Sequence, residues 1–347
     1  MKKGLLLLLL IQFTVAYSQN TSTLFENEES LTFSIKTDIR ERIKDRGDNP
    51  DYHKAVMSFG TTVSFPLKIK VRGNFRKQMS NCFFPPILLN FDRSNENSGL
   101  FTGENKLKLI TKCKTDEYVL REYMVYKVYN LISPLSFNAR LALVKFLDSD
   151  EIKKPYTQLN FLLEDEEKLA KRLNMKEMGE KLIMENRIEL HNMATVAVFE
   201  YLIGNTDWSV PYRHNIKILE DSIGRAIAIP YDFDHSGLMN ASYAKPSEAL
   251  GILSILQRLY RGLPYDRYVF HSVFENFKSA KKDIYALYEN NTELSPKYIK
   301  FVVHFLDEFY ETISDEKAIE KEFYSEKSQL NVKIKGLKLM ASESNQI

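Results

Sequence analysis

The chain has 347 residues, 27% of them charged and 44% apolar, with a formal net charge of +2. That length suits one large domain or two lobes, and the composition is that of an ordinary globular protein. A nearly balanced charge gives no case for a nucleic-acid partner held by electrostatics.

In chain order, Lys2 and Lys3 precede the apolar run GLLLLLLIQFTVA and the small residues of AYSQ. This pattern predicts a signal peptide over residues 1–18, cut near Ser18. The alternative, an N-terminal anchor, needs a longer apolar run. The mature chain is therefore expected to be exported, periplasmic or secreted, with no stable membrane insertion after cleavage. Cys82 and Cys113 are the only cysteines. In an exported chain they can form one disulfide, or they can stay two buried thiols.

SLTFSIKTDI (30–39) alternates apolar and polar residues and predicts a strand; ERIKDRGDNPDYHK (41–54) reads as a charged turn. Leu67, Ile69 and Val71 alternate with Lys68, Lys70 and Arg72, a half-buried strand that ends at the Gly73–Asn74 turn. FFPPILLNFD predicts a strand with Pro85 and Pro86 at its start, and NKLKLITK a further short one. DEYVLREYMVYKVYNLI (116–132) has helical spacing with Asp116 and Glu117 in its first turn, and Pro134 stops it. NARLALVKFLD and YTQLNFLLED read as strands, 164–203 as largely helical, HNIKIL and RAIAIPYDF as a hairpin around Gly224, and 246–330 as helical almost throughout.

Strands first and helices later indicate an α+β fold. The same order is that of a two-lobed atypical protein-kinase-like fold. The expected division is a mainly β N-terminal lobe over 19–165, a mainly α C-terminal lobe over 166–330, and a peripheral tail over 331–347. Phosphoryl transfer on such a scaffold needs positioning and charge rather than covalent chemistry from the protein. The chain supplies candidates in the right order. Asp207 follows a long helix, Asn215 begins HNIKIL, and Asp232 and Asp234 end AIPYDFD. Carboxylates and amide oxygens are the donors that Mg²⁺ or Mn²⁺ prefers. His214 and His235 read as structural neighbours of the site. There is no GxGxxG or Walker pattern, so a nucleotide would be held by a different loop, GNFRKQ.

RGN (72–74), NTDW (205–208) with HN (214–215), and PYDFD (230–234) resemble the CotH family of secreted, atypical kinase-like proteins. The resemblance runs over roughly residues 60–240. It implies transfer of phosphate from Mg-ATP to a hydroxyl, on Ser or Thr of a protein acceptor. Asp207 would be the catalytic aspartate, with Trp208 after it as in the family motif. Asn215 and Asp232 would hold metal, with Asp234 as a second carboxylate. Where the family carries a Pro-Lys-Lys run, this chain has FFPPILLNF without lysine. The phosphate contacts then fall to Arg72 and to Lys108, with Lys106 on the same strand face; Glu122 on the helix could pair with Lys108, although a helix-surface glutamate is the commoner reading. The alternative reading is a non-catalytic envelope binding or assembly protein that keeps the scaffold. A hydrolase using the same carboxylates is a third.

Overall fold

The alternation seen in sequence builds the first layer. The structure, a computed structural model, describes residues 23–92, 99–179 and 183–324. The expected signal peptide over 1–18 and tail over 331–347 lie outside the described residues.

In β1 (Leu31–Thr37) Leu31, Phe33, Ile35 and Thr37 are buried, and Thr32 and Lys36 between them are exposed. The same period of two runs through β2 (His53–Phe59), β3 (Val63–Val71) and β4 (Ile87–Phe91). With β5 (Lys106–Ile110), β6 (Ala139–Asp148) and β7 (Tyr156–Leu163) they form one closed sheet in the order β1-β2-β3-β4-β5-β7-β6. Neighbours pair antiparallel except β1 with β6, whose parallel pairing closes the ring. Phe33, Met57, Phe65, Leu89, Leu109, Val144 and Phe146 fill the interior. Closure leaves no sheet edge for another chain to pair with.

Two elements correct the sequence reading. The segment read as a charged turn over 41–54 contains most of a helix, α1 (Ile39–Lys44), and leads into β2. The Asp38 side chain caps α1 by accepting from the Arg40 and Glu41 amides. Its Arg42 is fully buried, bonded to Tyr156 Oη at 2.9 Å and set over the rings of Phe84 and Phe146. A buried cation of this kind looks like a surface charge in sequence.

α2 (Asp116–Ile132) has the bounds that the spacing predicts, and Thr115 caps it. It lies against the sheet, but its buried residues belong to the second apolar core. There Tyr129 meets Phe199 at 4.4 Å and Tyr126 meets Phe233 at 4.7 Å between ring centroids. That core is completed by α3 (Glu166–Arg172), α4 (Leu190–Leu202), α5 (Arg267–Glu289), α6 (Pro296–Thr312) and α7 (Glu316–Phe323). β8 (Lys176–Glu177), β9 (Ile216–Glu220) and β10 (Ala226–Pro230) form a small antiparallel sheet beside α4.

The helical readings of 164–203 and 246–330 are too generous. Within the first, β8 and irregular backbone separate α3 from α4. In the second, only a single 3-10 turn, Glu248–Leu250, precedes α5. Pro246, Gly251 and Pro264 punctuate that stretch, and Gly251 sits at φ +66°. Its spaced apolar residues Leu250, Ile252 and Ile255 are buried by an irregular chain rather than by a helix face. No helix among the described residues is long and apolar enough to cross a membrane.

Candidate active site

The end of α4 begins the site. Gly204 turns the chain at φ +63°, and Asn205 then caps the loop: its Oδ1 accepts from the Asp207 amide at 3.0 Å. The Asn205 amide group donates to Glu200 Oε2 at 2.9 Å, which anchors the loop to its own helix. From behind, the buried Arg261 donates to the carbonyls of Thr206 and Trp208, at 2.5 and 2.7 Å. Asp207 is thus fixed on both sides through its neighbours.

Its carboxylate is fixed as well. His214 Nε2 lies 2.8 Å from Asp207 Oδ1. Asn215 Nδ2 donates to the Asp207 carbonyl at 2.6 Å and to its Oδ2 at 3.2 Å. Asn215 has φ +53°, a left-handed backbone that asparagine tolerates better than most residues. The β9–β10 hairpin then returns the chain to the same place, and the Tyr231 amide donates to the Asn215 carbonyl at 3.0 Å.

Asp232 follows at φ +64°, its amide donating to Tyr126 Oη at 2.9 Å. The sequence reading took Asp232 and Asp234 as alternate positions on an extended segment. The backbone turns there instead, yet both carboxylates reach one guanidinium, that of Arg76. Arg76 Nη2 lies 3.0 Å from Asp232 Oδ1, and Nε lies 3.1 Å from Asp234 Oδ2. The same guanidinium makes two bonds to Glu122 on α2, at 2.8 and 3.0 Å. Phe75, next to Arg76, stacks edge-on against His235 at 5.1 Å and packs on Tyr243. Tyr243 Oη donates to Asp234 Oδ2 at 3.3 Å.

One cation among the buried Glu122 and Asp234 and the half-buried Asp232 leaves a negative excess, which sets how each group holds its proton. Burial pushes Glu122 up to about 7, against the pull of Arg76 and with the help of Asp234. Asp234 is raised, first by burial, despite Arg76 and His235. Burial also works on Asp232, but Arg76, Arg72 and His235 outweigh it and hold this carboxyl below its ordinary value. Burial would lower the Arg76 value; Asp234, Glu122 and Asp232 overcome it and keep the guanidinium firmly charged.

The sequence reading did not single out Arg76 within GNFRKQ. It allowed Glu122 to pair with Lys108, with a helix-surface glutamate as the commoner reading; the structure corrects both, since Glu122 is buried on Arg76. Lys108 Nζ bonds Glu166 Oε1 at 2.9 Å, while Lys217 takes the other oxygen at 2.8 Å. Both ammonium groups lie over the Tyr231 ring, at 5.1 and 5.4 Å. Burial, then repulsion from Arg72, lowers the Lys108 value. The charge of Arg72 is felt by both Lys108 and Asp232. Lys106 is half-buried and near enough to Asp165 to act on it. Nothing in the sequence distinguishes Arg76 from the neighbouring Lys77, whose Nζ bonds a backbone carbonyl at the surface.

Among the described residues, no group of three or more His, Cys, Asp or Glu is arranged to hold a metal ion. The donor types at hand are the carboxylates of Asp232 and Asp234 and Oδ1 of Asn215, which no donor among the described residues reaches. The Asp232 side chain is 41% exposed. Such oxygens suit a hard divalent cation, although Arg76 now takes one oxygen of each aspartate.

No family model matches the chain, and no curated protein does. Among solved structures, it is similar to the crystal structure of a Helicobacter pylori proinflammatory kinase, CtkA. The identity is 12% and the TM-score 0.39, over 72% of this chain and 94% of that one.

Proposed function

We propose that this chain is an exported, CotH-like atypical kinase that transfers phosphate from ATP to a hydroxyl on a protein Ser or Thr. One chain of contacts carries the reading: Asp207 bonds Asn215, the Asn215 carbonyl accepts from Tyr231 just before Asp232, and Asp232 and Asp234 share the buried Arg76 with Glu122 of α2. Two-lobed organisation, with the boundary near residue 165, belongs to the same proposal.

In this reading Asp207 orients the attacking hydroxyl, held by His214 and Asn215. Asn215, Asp232 and Asp234 would hold Mg²⁺ or Mn²⁺, which when bound offsets the charge of the nucleotide phosphates. Arg72 and Lys108 contact phosphate oxygens, with Lys106 nearby. Arg76, from the loop before the strand that lacks the lysines, pairs with Glu122 as a planar donor to several carboxylates.

The second reading, a non-catalytic binding protein on this scaffold, is favoured by two contacts. Arg76 already bonds both aspartates, and Lys108 is taken by Glu166. Labelled ATP with Mg²⁺ or Mn²⁺ separates the two. Label on the wild type that falls about a hundredfold or more in Asp207→Ala and Asp232→Ala supports the kinase. No label, and no metal-dependent rise in melting temperature with ATP, supports the binding protein.

A further inference from the structure

Cys82 and Cys113 are bonded, with their Cα atoms 4.6 Å apart. The bond joins two segments that each deliver a member of the Arg76–Glu122 pair. Arg76 lies in the loop just before Cys82. Cys113 lies just before Thr115, the cap of α2, and Glu122 sits about two turns into that helix.

The loop is irregular between β3 and β4 and holds itself by turns. Asn81 and Cys82 amides donate to the Gln78 carbonyl, and Asn81 Nδ2 to the Phe75 carbonyl at 2.9 Å. Arg46 ties it to the α1 side through the carbonyls of Lys77, Cys82 and Phe83. The disulfide is its covalent tie to the approach of α2. Cys82 is buried, Cys113 is half-buried, and Met79 and Phe83 of the loop are exposed, so a thiol can reach the bond from the Cys113 side.

We propose that this disulfide is a redox latch that sets Arg76 among Glu122, Asp232 and Asp234. The opening reagent is a dithiol. Its thiolate attacks Cys113 Sγ, the S–S bond breaks, and Cys82 leaves as a thiolate and takes a proton. The second thiol of the reagent then displaces Cys113, which is protonated in turn. One protein disulfide becomes two thiols, and the reagent is oxidised to its own disulfide. With the bond open, loop and helix no longer move as one body, and Arg76 loses its register on the carboxylates. The consequence for nucleotide binding rests on the proposed kinase reading; the consequence for the loop does not.

The test compares the full chain, oxidised and after dithiothreitol, with the Cys82→Ser/Cys113→Ser variant. Amide exchange is followed over the chain, and Mn-ATP binding by titration. The latch predicts exchange about tenfold or more faster over residues 74–82 and 116–122 on reduction, with β1 and α4 unchanged. It also predicts about fivefold or more weaker binding of Mn-ATP. The double variant should match the reduced protein and ignore the reagent; reduction of folded wild type decides alone if that variant does not fold. Unchanged exchange over 74–82, or an equal rise throughout the chain, overturns the latch. Nucleotide affinity that ignores reduction while the loop loosens also overturns it. An oxidised chain that binds no Mn-ATP refutes the kinase reading, and the exchange result still decides the latch.

Discussion

Arg76 and Glu122 make a bidentate ion pair, 2.8 and 3.0 Å between heavy atoms, across 46 residues of sequence. The pair is buried on both sides and is shared with Asp232 and Asp234. Removing the cation strands three carboxylates, whereas removing Glu122 leaves Arg76 two partners. Arg76→Met should therefore destabilise the chain more than Glu122→Gln, by about 3–5 kcal/mol against a smaller loss. Arg76→Lys should restore only part, because an ammonium lacks the planar fork that serves several carboxylates. Urea unfolding of the three variants checks the order.

Glu185 and Glu200 give the stability a pH slope. Burial raises both carboxyls to about 8, against 4.5 in the open chain. The folded state keeps protons that the unfolded chain has released, so the contribution is full below pH 4.5 and is lost as pH rises toward 8. Each group accounts for about 1.4 kcal/mol per pH unit inside that window. Melting temperature should fall from pH 5 to pH 8, and Glu185→Gln with Glu200→Gln should flatten the slope. The glutamine at 200 keeps an oxygen for Asn205, so a slope that stays as steep would refute the assignment.

Gly237, just after PYDFDHS, has no room for a side chain. A Cβ there would lie 2.4 Å from the Ile255 carbonyl oxygen and 3.1 Å from the Phe305 ring. Gly237→Ala should lower stability by about 1–3 kcal/mol. Gly47→Ala, which meets nothing within 4 Å, is the control and should be close to neutral by thermal melting.

Lys108 and Lys106 share a strand but differ in surroundings. Lys108 is buried against Tyr231 and Glu166, toward Arg72; Lys106 is half-buried. If Lys108 contacts phosphate, Lys108→Met should weaken Mn-ATP binding about tenfold, the scale of one charged hydrogen bond. Lys106→Met should change it little. Equal effects in calorimetric titration would remove Lys108 from the phosphate site.

The strands were legible where apolar and polar residues alternate, as in Leu67–Lys68–Ile69, and α2 was legible to the residue because its spacing, its acidic first turn and Pro134 agree. α1 was not, since Arg42 spends its charge under two aromatic rings. The meeting of Asp207 with Asn215 was legible as order and spacing. The place of Arg76 was not: three partners from α2 and the segment after β10 select it, and none is near it in sequence. The same holds for Glu166, whose two lysines come from β5 and β9.

The parallel seam of the barrel has a consequence for the order of assembly. Leu31 of β1 pairs with Ala142 of β6, and four strands and two helices are made between them. As the chain emerges, β1 finds β2 at once and must wait for its other neighbour. Until β6 arrives, the half-built sheet carries an open edge, the feature that invites association with other chains. Contacts this distant in sequence also slow the search for the native state. Closure of the ring therefore waits for Ala139–Asp148, the last of its strands but one in the chain.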